Sequence, residues 1–539
     1  MKRIVTLGVA VAVAAALTAV AVAGDNDSGF KTKQSAMLTG VAPGSTVTPI
    51  ITVGDSMPGG YRFESIPDGI ALHARGNGRL DVYVNHETST VPFPYNANAA
   101  PEANQNDFDN AQLSRLALNQ HSAGVLNAKM VIQSNENFQR FCSNYLATRA
   151  EGFDRDLLFT NEEATDFVFR TGTAWPAPTT DPPAEQAGVV VAYDVRTGQR
   201  KPIYGMGRHN HENSVAIPGF DDLVVLSGDD TFTSNPAQSQ LYAYIAPNAN
   251  AIWNDQGTLY GFKADDPTIN DYYDIPVGST ASYDGHFVAI DKAAAQGDQT
   301  ALENASDAAG VFQFVRIEDI AYDKRSGKSH VVYFADSGRG SNDASGNAFA
   351  STNGRIFKLE FTDPKDPTAA TLSLLVEGDD NPVKTFAEIH QPDNVETTAA
   401  GSLMVTEDPG SSQQVPVGSS DPAATSARLW RVDLNARVPD ENKSIAAKVD
   451  QSADEGPTDV DGVDPSVKAP GNLGAWESSG VVDASAVFGP GAFLVTVQAH
   501  TLWIEKKTID PADDPGPLKR GFTIKREGGQ LVLLRIPGA

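Results

Sequence analysis

The feature that most constrains the fold is a recurrence of short β-branched and aromatic runs between turns rich in Gly, Asp, Asn and Pro. Leu223–Ser227 and Leu531–Ile536 are examples. Such runs are typical of short strands, and many of them at even spacing indicate an all-β sandwich, barrel or propeller. At 539 residues the chain is too long for one sandwich. The sequence therefore predicts an all-β fold, a β-propeller of about six blades with long inserted loops and few short helices.

A loose internal similarity supports repeated blades. The chain contains three similar pairs of an aliphatic and an aromatic residue, each followed two positions later by a hydrophobic residue. The pairs lie in Gln240–Tyr242, Gly354–Leu359 and Ala427–Val432, and the hydrophobic residue of the first pair lies just beyond its range. A pattern that returns in this way predicts the same strand position in successive units.

Few segments favour helix. Asp109–His121 has an N-cap candidate and apolar residues at helical spacing, and Ala293–Ala305 is a weaker case. Thr173–Ala187 and the acidic Asp454–Asp464 are interpreted as insertions between blades.

The N-terminus predicts an export signal. Lys2-Arg3 precede the apolar run Ile4–Val22, and the run closes on small residues. This order predicts a signal peptide at 1–23, with an uncleaved anchor as the alternative. A polar N-terminal arm at 24–52 and a propeller domain at 53–539 would follow. Because the basic pair is not twin-Arg, we expect general secretion to a periplasmic or secreted location.

Charge and cysteine content exclude several partners. The formal net charge is −27, which disfavours nucleic acid and anionic membranes and favours divalent cations. We expect no nucleic-acid partner, no stable membrane insertion and a monomer. Cys142 stands alone, so an intrachain disulfide and a site built from several cysteines are excluded.

Acids recur beside the apolar runs, where the end of a propeller strand faces the central channel. The stretch Gly207–Asp230 shows both elements, with a polar loop, a buried run and two closing carboxylates. The clusters are Asn85-His86-Glu87, Glu162-Glu163, His211-Glu212, Asp229-Asp230, Glu318-Asp319, Asp393-Asn394, Glu407-Asp408 and Glu477. Taken singly, each pair is more simply explained as solvated surface.

Together these groups predict a cation site. Calcium prefers six to eight oxygen ligands, and an oxygen-rich set suits calcium, magnesium or manganese. Converging acids without a cation would repel one another and raise their pKa values. Arg208 and Arg316 lie beside the acids and either bind a phosphate or carboxylate group or pair with a neighbouring acid.

In their order along the chain, these motifs resemble the PhoX-type alkaline phosphatases, which are secreted β-propellers. The resemblance covers much of the chain beyond the signal segment. It rests on VNHE (Val84–Glu87), FCSNYLA (Phe141–Ala147), FTNEE (Phe159–Glu163), GRHNHENSVAI (Gly207–Ile217), SGDD (Ser227–Asp230), RIEDIAYD (Arg316–Asp323), GRIFKLEF (Gly354–Phe361), QPDNV (Gln391–Val395), TEDPG (Thr406–Gly410) and ESSG (Glu477–Gly480).

The resemblance implies a hydrolase of small phosphate esters with iron and calcium at the channel mouth. Arg316 would hold the phosphate. The implied metal ligands are Glu162, Glu163, Glu212, Glu318 and Asp319, with Asp393, Asn394 and Glu407.

One catalytic position departs from the family pattern. The family has a cysteine directly before the Glu-Glu pair, and this chain has Asn161. Asparagine offers a neutral oxygen instead of a soft thiolate, which argues against a family-like iron pair and favours calcium.

The sequence is therefore compatible with three functions. The first is a secreted, metal-dependent phosphomonoesterase. The second is a non-catalytic, calcium-stabilised propeller used for binding or adhesion. The third is a lactonase-like propeller hydrolase in which calcium orients an ester.

Overall fold

The computed structural model describes most of the chain. It covers residues 28–76, 78–87, 111–136, 138–168, 185–233, 236–338, 353–378, 388–408, 426–450, 476–499 and 528–539. The predicted signal peptide at 1–23 and the acidic insertion Asp454–Asp464 lie outside these residues, as does most of Thr173–Ala187.

The N-terminal part contributes four short strands and the first four-stranded sheet. The short strands are β1 (Leu38–Gly40), β2 (Thr46–Thr52), β3 (Ser56–Met57) and β4 (Tyr61–Arg62). The sheet contains, in spatial order, β5 (Pro67–Gly76), β6 (Arg79–His86), β7 (Gln112–Asn119) and β8 (Val125–Ile132).

The second sheet has a small hairpin inserted in its sequence. The strands in chain order are β9 (Phe141–Ala147), β10 (Leu157–Glu162), β11 (Phe167–Val168), β12 (Glu185–Gln186), β13 (Val190–Asp194) and β14 (Arg200–Ile203). The sheet order is β9-β10-β13-β14, and β11 pairs with β12.

A nine-stranded sheet forms the middle of the chain. Its strands are β15 (His211–Ile217), β16 (Leu223–Asp229), β17 (Leu241–Ala246), β18 (Thr258–Ala264), β19 (Ser282–Ala289), β20 (Ile317–Tyr322), β21 (Val331–Asp336), β22 (Arg355–Asp363) and β23 (Asp366–Glu377). The order β15-β16-β17-β18-β19-β23-β22-β21-β20 reads as two meanders, β15–β18 and β20–β23, joined through β19.

Two further sheets complete the described part of the chain. The strands are β24 (Pro392–Thr397), β25 (Ser402–Glu407), β26 (Arg428–Asp433), β27 (Lys443–Val449), β28 (Trp476–Asp483), β29 (Ala492–Ala499) and β30 (Gly528–Arg535). The sheet orders are β24-β25-β26-β27-β1 and β28-β29-β30-β2.

The helices are short. They are α1 (Ala249–Trp253), α2 (Lys292–Ala295), α3 (Gln299–Ala309) and α4 (Ser485–Phe488). The 3-10 turns are Ser134–Glu136, Arg149–Glu151, Tyr204–Met206, Tyr272–Asp274 and Pro439–Glu441. In the described ranges no helix is long and apolar enough to cross a membrane.

Six strands form the inner wall of the molecule. β5 contacts β9, β9 contacts β15, β15 contacts β20, β20 contacts β24, β24 contacts β28, and β28 contacts β5. Each of these strands begins a meander that runs outward, as the first strand of a propeller blade does. The predicted all-β propeller with few short helices is confirmed.

The chain ends close the ring. β2 pairs with the C-terminal strand β30, with Thr46 opposite Arg535, and β1 pairs with β27. These strands lie within residues 24–52, which the sequence predicts as a polar N-terminal arm. Ile50 and Ile51 of β2 are buried among the last sheet and its neighbours.

Two helix predictions meet different outcomes. The helix predicted at Asp109–His121 is wrong, because β7 occupies Gln112–Asn119 and pairs with both β6 and β8. Leu116 and Leu118 are buried while Arg115 and Ala117 are half-buried, which is the two-residue period of a strand.

The second prediction, Ala293–Ala305, is confirmed as helical but divides into α2 and α3. The break contains Gly297, and Asp298 caps α3 by accepting from the Ala301 amide.

The predicted repeat is confirmed. Its copies fall in or beside β17, β22 and β26, and each of these is the third strand outward from an inner strand.

Candidate metal centre

The site is positioned by a bulge at the same height in every inner strand. In each case the pairing register slips over two consecutive residues, which face a single residue of the neighbouring strand. The two-residue bulges are Asp68-Gly69, Cys142-Ser143, Glu212-Asn213, Glu318-Asp319, Asp393-Asn394 and Ser479-Gly480.

The first residues of these bulges gather into a buried cluster. Donor atoms of Glu212, Glu318 and Asp393 lie within 4.8 Å of one another. The same holds for Cys142, Glu163 and Glu212, and for Asp68, Glu87 and Cys142. Because the groups share Cys142 and Glu212, they form one continuous set, which we call the acidic cluster.

A second set of acids reaches the acidic cluster from the neighbouring strands. Each of these acids is the residue directly after the second strand of its sheet. Glu87 follows β6, Glu163 follows β10, Asp230 follows β16 and Asp408 follows β25. Glu477 lies at the start of β28, and burial, followed by the charges of Asp408, Glu87 and Asp68, raises its pKa.

Burial and mutual repulsion disfavour the charged form of these acids. Burial is the larger cause and raises the pKa of Glu212, with Glu318 and Asp393 adding repulsion. The pKa of Glu163 and of Glu318 is raised in the same way, with Asp230 as a neighbour of both. The pKa of Glu87 rises to about 8 through burial and the charge of Asp68. A bound cation would relieve this repulsion.

Unpartnered buried oxygens support the fit of a cation. Oε2 of Glu212 is buried and has no hydrogen-bond donor within the described ranges, and neither has Oδ1 of Asn161. A buried acceptor without a donor is costly, whereas a metal ion satisfies it. The carboxylates present suit calcium or another hard cation, and the Cys142 thiol adds a soft donor.

Cys142 is tied to the acidic cluster by a hydrogen bond. Its thiol donates to Oδ2 of Asp68 at 2.7 Å. Burial, followed by the charge of Asp68, raises the pKa of the thiol. Its ionised form would therefore need a cation beside it.

Arg316 balances part of the negative charge. Its Nε and Nη2 donate to the two carboxylate oxygens of Asp230, each at 2.7 Å, and Nη2 lies 3.0 Å from Oε1 of Glu318. Nη1 donates to no residue of the described ranges. The fork arrangement is one that also suits a phosphate group.

Asn161 lies opposite the bulge of β9. Its Nδ2 donates to the Ser143 carbonyl at 3.0 Å, and Ser143 Oγ donates to Glu212 Oε1 at 2.5 Å. Asn161 is therefore one hydrogen-bonded residue away from the acidic cluster.

Two predicted ligands, Glu162 and Glu407, face away from the acidic cluster. Glu162 accepts from the amides of Gln139 and Val189 at 2.8 and 3.1 Å. Glu407 accepts from the His390 amide at 2.9 Å and from the Arg428 guanidinium at 2.9 and 2.7 Å. We call these two the anchoring carboxylates.

Asp319 and Asn394 occupy the second place of their bulges. Asp319 accepts from Asn213 Nδ2 at 2.5 Å and from the amides of Ile320 and Val395 at 2.6 and 3.0 Å. Burial raises its pKa to about 7. Asn394 Nδ2 donates to Ser143 Oγ at 2.9 Å, while its Oδ1 has no donor in the described part of the chain.

A cavity of about 230 Å³ continues the channel beyond the bulges. It is lined by the second bulge residues and by residues farther along the inner strands, including Tyr145, Tyr322 and the ion pair of Lys324 with Glu396. Hydrogen bonds among Ser143, Asn213, Asp319 and Asn394 lie between this cavity and the acidic cluster.

Of the predicted residues, the structure brings Glu163, Glu212, Glu318 and Asp393 together, with Arg316 beside them. Sequence reasoning missed Asp68 and Cys142 as members of the set. Cys142 is part of the FCSNYLA motif, but the motif does not show that the Cys142 side chain points inward, because that direction depends on the bulge. For Asp68 no motif gave a signal.

The family described as "Alkaline phosphatase PhoX" matches residues 132–432. None of the curated proteins matches.

Three solved structures are similar at low identity. A protein of unknown function from Dyadobacter fermentans is 10% identical, with 92% of this chain and 100% of that chain covered, at a TM-score of 0.41. The NanB sialidase of Streptococcus pneumoniae is 7% identical, with 94% and 70% covered, at 0.36. A mutant sialidase of Trypanosoma rangeli is 8% identical, with 93% and 60% covered, at 0.34.

Proposed function

The chain belongs to the PhoX family of alkaline phosphatases, and we propose that it hydrolyses phosphate monoesters with cations held by the acidic cluster. The family is one of metal-dependent phosphoric-ester hydrolases. The observation that carries the proposal is the convergence of Glu163, Glu212, Glu318 and Asp393, which come from three different sheets, with Cys142 in one buried set.

The residues that would hold the cations are those with donor atoms near one another. Glu212 is shared between two groups of the set, and Glu163 and Glu318 lie on either side of it. Bound cations supply Lewis acidity, which activates an attacking oxygen and neutralises charge on the phosphoryl group. The chain's own part is to fix the donor atoms, through Ser143 at Glu212 and Ser337 at Glu318.

Arg316 would orient the phosphate. Asp230 holds the guanidinium by two hydrogen bonds, which fixes its plane and leaves Nη1 for a substrate oxygen. A positioned arginine is well suited to a developing phosphoryl charge. The Asp230–Arg316 pair is thus proposed as a positioning device and Arg316 as the phosphate ligand.

We propose calcium at the carboxylate-rich part of the acidic cluster. Iron becomes a reasonable second ion on the side of Cys142, because the thiol provides the soft donor that Asn161 does not. The two ions differ in the ligands they prefer, since calcium binds six to eight oxygen ligands and iron also accepts sulfur.

Export is proposed from the sequence alone. The basic pair and the apolar run Ile4–Val22 support a cleaved signal and a secreted or periplasmic location. N-terminal sequencing of the protein recovered outside the cytoplasm checks this, and a chain that still begins at Met1 would contradict it.

The activity is tested with 4-nitrophenyl phosphate. Protein purified without chelator and supplied with calcium and ferric iron is expected to release phosphate, and EDTA is expected to stop the reaction. A protein that binds calcium, gains melting temperature and yet hydrolyses no phosphate ester would instead support the binding propeller. Turnover of lactones alone would support the lactonase-like hydrolase.

A further inference from the structure

The central channel holds a cavity beyond the bulges, apart from the acidic cluster. This cavity of about 230 Å³ is lined by residues from all six inner strands, and we call it the channel cavity. Hydrogen bonds from Asn213 to Asp319 and from Asn394 to Ser143 lie between it and the acidic cluster. At roughly 30 Å³ for each water-sized group, it has room for about seven such groups. The channel cavity is therefore large enough for a small organic molecule and separate from the proposed phosphate site.

The wall of the channel cavity carries more negative than positive charge. Lys324 is the one cation among its lining residues, and it forms an ion pair with Glu396. Glu151 and Asp483 line the same wall, and Asp319 lies at the floor. The Lys324 and Glu396 side chains are 29% and 12% exposed, so water reaches this end of the cavity. Because one lysine offsets only one carboxylate, the channel cavity favours a cationic ligand.

The acids are distributed over the wall. Glu151 Oε1 accepts from the Tyr322 hydroxyl at 2.9 Å, and Asp483 Oδ1 accepts from the Ser485 amide at 2.8 Å. Within the described ranges, the compact groups of three metal-binding side chains all lie in the acidic cluster. The residues of the channel cavity thus form no compact set for a metal ion, and their separated carboxylates instead suit an organic cation with more than one charged group.

Two amide oxygens on the wall have no donor. Asn144 and Asn394 line the channel cavity and are 4% and 2% exposed. Nδ2 of Asn144 donates to the Gly69 carbonyl at 2.9 Å, and Nδ2 of Asn394 donates to Ser143 Oγ at 2.9 Å. Oδ1 of each has no hydrogen-bond partner in the described part of the chain. A buried acceptor without a donor is costly, and an ammonium group would bring three donors.

Much of the remaining wall is apolar. Ile70, Leu72 and Val481 line the channel cavity, and Tyr145 and Tyr322 add aromatic side chains. Methylene groups gain free energy when they are buried against such a surface, and aromatic rings also attract cations. A ligand with charged ends and a hydrocarbon middle therefore matches this lining better than a hydrated inorganic ion does.

We propose that the channel cavity binds a short aliphatic diamine, with one ammonium group near Asn394 at the floor and the other beside Glu396 and Asp483. The hydrocarbon chain lies against the apolar wall. With six non-hydrogen atoms, 1,4-diaminobutane fits a space for about seven water-sized groups. The site does not depend on phosphate hydrolysis, because the acids that bind the diamine are not those of the acidic cluster.

Isothermal titration calorimetry with 1,4-diaminobutane tests the proposal. The full chain is first loaded with calcium, so that the acidic cluster is occupied, and salt at about 0.15 M screens the rest of the acidic surface. We expect one diamine to bind with a Kd of about 0.1 to 1 mM. We expect 1-aminobutane, which has one charge, to bind at least about 10-fold more weakly. Butane-1,4-diol and succinate should not bind.

Two variants locate the diamine in the channel cavity. Val482→Trp fills part of the cavity from its wall and should weaken binding at least about 10-fold, whereas Leu375→Trp, at a half-buried position of β23 outside the cavity, should not. Asp483→Asn removes one carboxylate and should weaken binding about 10-fold. Asp433→Asn is its matched control, because Asp433 also ends a strand and accepts from the amide two residues later.

Wild-type protein that binds no diamine, or binds 1-aminobutane equally well, would overturn the proposal. Unchanged binding in Asp483→Asn would do the same, because the diamine would then be held elsewhere on the acidic surface. This second variant decides the question if Val482→Trp does not fold. A calcium-loaded protein that binds the diamine through Asp483 but hydrolyses no phosphate ester would support this site and reject the phosphatase.

Discussion

Glu162 and Glu163 are neighbours in the chain, yet they belong to two regions with opposite chemistry. Glu162 receives two backbone amides and anchors its blade. Glu163 lies in the acidic cluster, where burial and Asp230 raise its pKa. Glu407 and Asp408 repeat the pattern, since Glu407 is bound by Arg428 and Asp408 acts on the charges of the acidic cluster.

The difference follows from the alternation of a strand. Glu162 and Glu407, each the last residue of a second strand, accept hydrogen bonds from backbone amides and, at Glu407, from Arg428. The residue that follows each of them lies on the opposite side of the chain, toward the acidic cluster. An anchoring carboxylate is thus satisfied by the fold, and a cluster carboxylate is satisfied only by a cation.

The largest effect is expected at the acidic cluster. Glu212→Gln removes a carboxylate that belongs to two groups of the acidic cluster. We expect phosphatase kcat/KM to fall by about 1000-fold, because the charge on the transferring phosphoryl group loses several kcal/mol of stabilisation. The metal-free variant should melt no lower than the metal-free wild type at pH 8, since one repelling charge is gone. Glu360→Gln, at a partly exposed position of β22 with an ion pair to Lys358, is the control.

A metal-free Glu212→Gln protein that melts well below the wild type would contradict this assignment, because it would show that Glu212 is anchored by the fold. Differential scanning calorimetry and steady-state kinetics on the same preparations give both quantities.

The anchoring region should show the converse. Glu407→Gln leaves the buried Arg428 without its counter-charge, and we expect a loss of about 3 kcal/mol in the free energy of unfolding. Activity per folded molecule should change by no more than about threefold. Urea unfolding of the metal-free protein measures the first quantity.

If Glu407→Gln instead unfolds like the wild type but loses activity, Glu407 belongs with the metal ligands after all. Glu396→Gln, which removes the counter-charge of a half-buried cation (Lys324) away from the acidic cluster, provides the comparison.

One part of the pH dependence of the metal-free protein comes from two buried acids, Glu87 of the acidic cluster and Asp319 in the neighbouring place of a bulge. Burial raises the pKa of Glu87 to about 8 and that of Asp319 to about 7, so the folded state binds protons that the unfolded state has released. The contribution of these two acids to stability is then greatest below their unfolded pKa values near 4 and falls as pH rises toward 8. Urea unfolding at pH 5 and pH 8 checks the sign.

Added calcium should remove this fall, because a cation favours the charged carboxylates. A metal-free protein that is more stable at pH 8 than at pH 5 would show that these acids are already paired within the fold.

The smallest effect concerns the support of the ligands. Ser143→Ala removes the hydroxyl that donates to Glu212 and accepts from Asn394, and we expect calcium affinity to fall by about 10-fold. Ser279→Ala, a hydroxyl far from the acidic cluster, should leave the affinity unchanged. Equal affinities for wild type and Ser143→Ala would show that Glu212 is oriented without Ser143.

The sequence predicted the propeller and the meeting of acids at strand ends, because alternation, turns and doublets are local patterns. It did not distinguish Glu163 from Glu162, since which neighbour turns inward depends on where the strand ends. Asp68 and Cys142 were not predicted as members of the acidic cluster, because bulges set the direction of their side chains. A bulge depends on the pairing of two strands, which the sequence does not show. β7 was misread as helix because Leu113 and Leu116 are three residues apart, a helical spacing, and the sequence does not show that β7 pairs with β6 and β8 on its two edges.

The most direct measurement is the metal content of Glu162→Gln and Glu163→Gln, each dialysed against calcium and ferric iron and then washed. We expect wild type and folded Glu162→Gln to retain the same bound metal, and Glu163→Gln to lose at least part of it. A wild-type protein without bound metal, or equal metal in Glu163→Gln and wild type, would contradict the assignment of the acidic cluster as the metal centre.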